Sequence, residues 1–193
     1  HNTSIEMFSK LKYRIGHSKL RRQIKGLKRD KRVFNLVTAR RVGILTHADS
    51  ASTFEQTRTF VRFLSNQNLE VCLLAFFPGK EIPQEFNQPN VNIFCKKDIN
   101  WYGKPIIPFA QEFSAMDFDI LIDLSMEEIF PIKWISSTSK AKFKVGNLSY
   151  YGNPNDLIIN VKPSDSLEYL ISQIKHYLQL INNRFAQDNI EVN

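Results

Sequence analysis

Val42-Gly-Ile-Leu-Thr46 and Phe118-Asp-Ile-Leu-Ile-Asp-Leu124 are the two stretches whose reading settles the fold class. Both are short and dominated by apolar residues. A strand with one wet face alternates apolar and polar residues, whereas a strand covered on both faces does not need to. Val71–Phe77, Val91–Cys95, Lys142–Val145 and Leu157–Val161 read as four further strands. Helical stretches separate them. One runs from Ser52, which has capping-box spacing with Glu55, to about Asn66, and buries Phe60, Phe63 and Leu64. Others are expected over Phe109–Met116 and Pro131–Ser139. A last one, capped by Ser164, carries Leu167, Leu170, Ile171, Ile174, Tyr177 and Leu178 at helical spacing. Strands alternating with helices predict an α/β fold: a Rossmann-like, doubly wound, mainly parallel sheet with residues 42–46 and 118–124 at its centre.

The chain of 193 residues is long enough for one domain with a substantial core. Its 42% hydrophobic and 23% charged residues are ordinary for a globular protein, and 15 Phe against 7 Gly argue against a low-complexity chain. Two Cys supply neither a disulfide framework nor a four-Cys metal site. No apolar run reaches the roughly 18 residues that span a bilayer, and the basic N-terminus lacks the apolar segment of a signal peptide. These features lead us to expect a cytoplasmic protein. Met7 is a candidate native start, and no functional residue is expected in 1–6.

Charge is segregated along the chain. Residues 1–41 hold 13 Lys and Arg against Glu6 and Asp30, a net +11. Residues 42–193 hold 13 against 17 acidic residues, a net −4, which together give the +7 of the whole chain. The expected organisation is a basic helical arm over 1–41, an α/β domain over 42–185 and a polar tail over 186–193. In the arm, Phe8, Leu11 and Ile15 form one helical apolar set and Leu20, Ile24 and Leu27 a second, with Gly16 at the change of phase. This pattern predicts two short amphipathic helices or one kinked helix. Lys10, Lys12, Arg14, Lys19, Arg21, Arg22, Lys25, Lys28, Arg29, Lys31 and Arg32 are its candidate polyanion-binding residues. The partner they imply is RNA, ribosomal RNA included, or another acidic partner such as a protein surface. An anionic membrane surface is the alternative for an amphipathic basic arm. A third possibility is that the arm's cations simply pair with the acidic body.

The first strand-to-helix turn, Thr46-His-Ala-Asp-Ser-Ala-Ser52, contains no Gly. A dinucleotide fingerprint needs Gly there for close approach of backbone to pyrophosphate, and no phosphate loop of the Gly-Lys-Ser/Thr type occurs elsewhere. No cofactor is therefore expected, and the four His show no metal-ligand spacing. An open parallel sheet still binds ligands beyond the carboxyl ends of its strands. The residues delivered there are His47, Asp49, Ser50, Asp123, Ser125 and Asn147, which form the ligand-cleft candidates. His47 with Asp123 would make an acid–base pair if their strands are neighbours. Equally, Asp123 would bond loop amides, Ser125 would cap a helix near Met126, and Ser52 would cap the helix after the first strand. Lys96-Lys97-Asp98 with Trp101, Tyr102 and Lys104 mixes cations with aromatics, as single-strand nucleic-acid sites do, or forms a loop with its Trp tucked on the core.

The basic arm, Val42–Leu45, Lys97–Pro105, Phe118–Ser125, Ser139–Gly146 and Gln173–Leu178 together resemble a family of small uncharacterised bacterial proteins, a domain of unknown function, over residues 7–180. The resemblance implies a domain boundary and no chemistry. More locally, Phe118–Ser125 and Ala141–Gly146 are similar to part of the N-terminal half of heptosyltransferase-like GT-B glycosyltransferases. In those enzymes a second, C-terminal domain holds most of the nucleotide-sugar donor.

Overall fold

A computed structural model describes residues 2–147, 152–162 and 164–181. Among them, β1 (Arg41–His47), β2 (Glu70–Phe77), β3 (Asn92–Cys95), β4 (Ile120–Asp123), β5 (Phe143–Gly146) and β6 (Leu157–Ile158) form one all-parallel sheet in the order β3-β2-β1-β4-β5-β6. The helices are α1 (Asn2–Ile24), α2 (Ala51–Ser65), α3 (Pro108–Ala115), α4 (Phe130–Thr138) and α5 (Leu167–Leu180). This is the doubly wound, Rossmann-like arrangement, with β1 and β4 adjacent at the centre. Chain growth reverses between them, so their carboxyl ends border the switch point.

The two-sided burial anticipated from the apolar runs has a residue-level counterpart. Val42, Ile44, Ile120, Ile122, Phe143 and Val145 pack on one face with Phe60 and Leu64 of α2 and Leu170, Ile174 and Leu178 of α5. On the other face Leu45, Leu74, Phe76 and Leu121 meet Phe113 of α3 and Ile132 and Ile135 of α4. Successive residues of β1 and β4 thus feed opposite cores. Gly43 leaves room for Phe118, whose ring would stand 2.8 Å from a Cβ at that position.

Several helix ends differ from expectation. Ser50, not Ser52, caps α2, accepting a hydrogen bond from Thr53 N at 3.1 Å. Ser166, not Ser164, caps α5 by accepting one from Tyr169 N. The helix α4 starts at Phe130, so Ser125 caps no helix there, and Glu127 and Glu128 precede its first turn. The chain from 2 to 24 is a single α-helix with no interruption at Gly16. It stops at Gly26, whose φ of 88° is the left-handed conformation that suits glycine after a helix C-terminus.

The link from α1 to β1 is tied to the body. Arg29 donates through Nε to the Ala141 carbonyl at 2.9 Å and pairs with Asp156 at 2.5 Å. Lys31 reaches the same carboxylate at 3.3 Å. Asp156 also accepts from the amide of Lys144, so one side chain joins this link to β5. Further on, Leu36 N bonds the Leu178 carbonyl and Leu36 enters the core.

Candidate polyanion surface and strand-end crevice

The helix α1 docks through one narrow face. Gly16 lies so close to the body that a Cβ there would stand 2.7 Å from the Tyr102 carbonyl oxygen and 2.9 Å from Cζ of Phe130. One turn later Leu20 is buried. Between them His17 places Nε2 2.7 Å from Oε1 of Glu128, while its Nδ1 faces the Tyr13 carbonyl at 2.9 Å. The buried Lys133 of α4 donates to the same Glu128 oxygen at 3.2 Å, and the Tyr13 hydroxyl donates to the other at 3.4 Å. The His17 ring also packs on Phe130, with centroids 4.7 Å apart. Tyr13, Gly16, His17 and Leu20 share a face because residues three and four apart overlie each other at 3.6 residues per turn.

At about 100° per residue, Phe8, Leu11 and Ile15 fall roughly opposite that docking face. Phe8 is 61% and Leu11 50% exposed; Met7 is exposed and Ile15 partly so. The apolar set identified in the sequence is therefore turned outward. Cations flank it. Lys10, Arg14, Arg21 and Lys25 fall within a sector of roughly 60° on one side, Lys12 and Lys19 lie on the other, and Arg22 lies between them.

The eleven candidate cations divide into two groups. Arg29 and Lys31 pair with Asp156, and Arg32 pairs with Asp30 at 2.9 Å. Lys10, Lys12, Arg14, Lys19, Arg21, Arg22, Lys25 and Lys28 have no ion pair with any described residue. Docking against Glu128 thus uses His17 and Tyr13 and none of the lysines and arginines of α1.

At the switch point a crevice of about 290 Å³ is lined by His47, Asp49, Thr53, Leu124, Met126, Glu127 and Leu167. Burial lowers the His47 pKa from its ordinary value, and the nearby Asp49 and Glu127 carboxylates pull weakly the other way. Of the six cleft candidates, His47 and Asp49 line this crevice and Ser50 sits beside it at the start of α2. Asp123, Ser125 and Asn147 are buried. Asp123 pairs in register with Leu45, two residues before His47, and its Oδ1 accepts from Ser125 N at 2.9 Å. His47 and Asp123 thus stand at the ends of neighbouring strands, with Asp123 bonded to a loop amide. Asn147 Nδ2 donates to the Met126 carbonyl at 3.3 Å. The crevice gathers carboxylates and a histidine held toward its neutral form, a poor setting for phosphate despite the helix start beside it.

Elsewhere the chemistry is quiet. Burial raises the pKa of the Cys72 and Cys95 thiols, and Cys95 Sγ donates to the Lys80 carbonyl, the opposite of an activated thiolate. No group of three His, Cys, Asp or Glu among the described residues could hold a metal ion. In the cation-rich loop, Trp101 is exposed and Lys97 pairs with Glu81. Tyr102 contributes the carbonyl against which Gly16 rests, and Lys104 lies over Trp134.

Sequence reasoning marked Gly16 as a break; the one available signal for its true role was a glycine inside an otherwise uninterrupted helical composition. Nothing local pointed to Leu167 in the crevice, because α5 is brought there from the β6 edge back to the middle of the sheet. A family model, Family of unknown function (DUF6913), matches residues 12–181. No curated protein matches the chain.

Proposed function

The chain belongs to a family of unknown function (DUF6913), and from that premise we propose that it is a non-catalytic binding protein that seats its α/β domain on an anionic surface through α1. The supporting observation is the outward face of this helix: Phe8, Leu11 and Ile15 with Lys10, Lys12, Arg14 and Lys19 around them and four more cations further along the chain, none with an acidic partner among the described residues. A basic helix with an exposed apolar stripe suits the headgroup region of an anionic bilayer. No helix among the described residues is long and apolar enough to cross one. Each Lys or Arg near such a surface contributes about 1 kcal/mol, and each of Phe8 and Leu11 at most about 1.5–3 kcal/mol on full burial. The sum describes reversible attachment, with the net negative remainder of the chain held away from the lipid.

RNA is the second reading, favoured by a specific feature: Arg21, Arg22, Lys25 and Lys28 continue the positive charge beyond the apolar stripe. If phosphates are the partner, engaging about five of them on a single strand gives a log–log salt slope near −3.5 with little sequence preference. The two readings separate in one pair of assays. Wild-type protein and F8S/L11S are sedimented with vesicles of phosphatidylcholine alone or with 30% phosphatidylserine, and titrated into single-stranded RNA. Expected is binding to the anionic vesicles only, weakened at least tenfold in F8S/L11S with its melting temperature unchanged. Binding to RNA with the stated slope, equal in both proteins and without vesicle binding, replaces lipid by RNA. Binding to neither at low salt removes the proposal.

A further inference from the structure

On the body side of α1, where the arm leaves the helix, lies a second cavity of about 350 Å³ between α1, α3 and α4. Its apolar lining includes Leu27, Ala110, Trp134 and Ile135, and Gln111, Ser114 and Thr138 sit among them. Two of its residues are charged, Lys104 and Lys140, and none is acidic. Lys104 Nζ rests 5.4 Å from the centroid of the Trp134 ring, so a cation is already held at the aromatic wall. Neither lysine makes an ion pair with a described residue. Ligand sites combine a mostly apolar concavity with a few placed polar groups, and this volume falls at the lower end of their roughly 300–1,000 Å³ range.

We infer that this cavity binds a small amphipathic anion, with an apolar body against Trp134, Ala110 and Leu27 and a negatively charged head between Lys104 and Lys140. The sign of the head follows from the lining. An anion gains two unpaired ammonium groups, whereas a cation meets repulsion and finds no carboxylate. The apolar body follows from Trp134, whose buried ring forms part of the wall. Because Gln23 and Leu27 come from the end of α1 and the link after it, an occupant contacts arm and body together and stabilises the docked helix. The inference is independent of what α1 binds on its outer face.

The chain has two Trp, and Trp101 is exposed, so W101F leaves Trp134 as the sole indole reporter within the cavity. In that background, Trp134 fluorescence is followed on titration with decanoate or decylammonium, each kept below its aggregation concentration and without vesicles. Saturable quenching by decanoate, at least tenfold weaker response to decylammonium, and at least tenfold weaker decanoate binding in K104Q/K140Q are expected. Equal responses to the two head groups overturn the inference without recourse to any lysine variant. So does unchanged decanoate affinity in K104Q/K140Q when its melting curve matches the parent. Decanoate binding is read in the absence of lipid, so its loss and the loss of vesicle binding are separate results.

Discussion

Lys144 is 2% exposed, with Nζ 2.5 Å from the Ser136 carbonyl at the C-terminal end of α4. Helix C-terminal carbonyls partly compensate a buried cation there. Burial, reinforced by Arg29, lowers its pKa from 10.5 to about 7, against the opposing pull of Asp156. The sign of the consequence is fixed by linkage. Between pH 7 and 10.5 the unfolded chain retains a proton at this amine that the folded chain releases. Stability from this group therefore rises with pH across that window, by at most about 1.4 kcal/mol per unit, and is lost as pH falls toward 7. Urea unfolding of wild type and K144M at pH 7, 8, 9 and 10 checks it: the wild-type-minus-variant stability should climb with pH. A flat difference shows that the amine titrates alike in both states.

The helix α1 sets two opposing effects against each other at Gly16. In a helix interior, Gly→Ala ordinarily gains about 1 kcal/mol. Here the new Cβ meets a backbone oxygen at 2.7 Å and an aromatic ring at 2.9 Å. A backbone atom cannot step aside as a flexible side chain can, and overpacking of this kind costs about 1–3 kcal/mol. The clash should prevail, so G16A is expected to lower stability by about 1–2 kcal/mol and expose the arm to limited proteolysis. Stabilisation in G16A, with the arm as resistant as before, contradicts the docking. Reading this element from its pattern alone finds the helix and its cations. It misassigns the glycine, because close approach to Tyr102 and Phe130 involves partners more than 80 residues away.

For the whole molecule, the docking contacts determine how much of the N-terminal segment belongs to the fold. Deletion of residues 1–14 removes, at 6–14, mainly exposed side chains, and its melting temperature should stay within a few degrees of wild type. Deletion of residues 1–32 also strips Leu20 from its site and the Arg29 and Lys31 partners from Asp156. Losing a buried Leu and a part-buried ion pair costs about 3 kcal/mol or more. At 2–4 °C per kcal/mol for a chain of this size, the melting temperature should fall by roughly 6–12 °C. Equal melting of both deletions by calorimetry would mean that the arm adds nothing to the domain. This differs from treating residues 1–41 as a detachable arm, a reading that charge composition invites because it registers where cations lie and not which side chains they cover.

Apolar runs such as 42–46 and 118–124, spaced by helical segments, were enough to specify a mainly parallel sheet with these two strands central; the structure makes it all-parallel. Both features follow from local pattern, since a strand covered on two faces must be apolar on successive residues. The strand-end position of His47 and Asp49 was legible for the same reason, as the first closes β1 and the second lies two residues beyond it. Helix starts were less legible: Ser50 and Ser52 are both competent caps, and in the structure Ser50 takes the role by accepting from Thr53 N. Tertiary structure alone decided which side of α1 is buried. Phe8, Leu11 and Ile15 are the stronger local apolar signal, yet the helix docks through Gly16 and Leu20. The flat spot at Gly16 lets backbone meet backbone at Tyr102, and Glu128 and Lys133 supply polar partners for His17. Complementarity of that kind depends on surfaces contributed by distant segments. No periodicity within a helix encodes it.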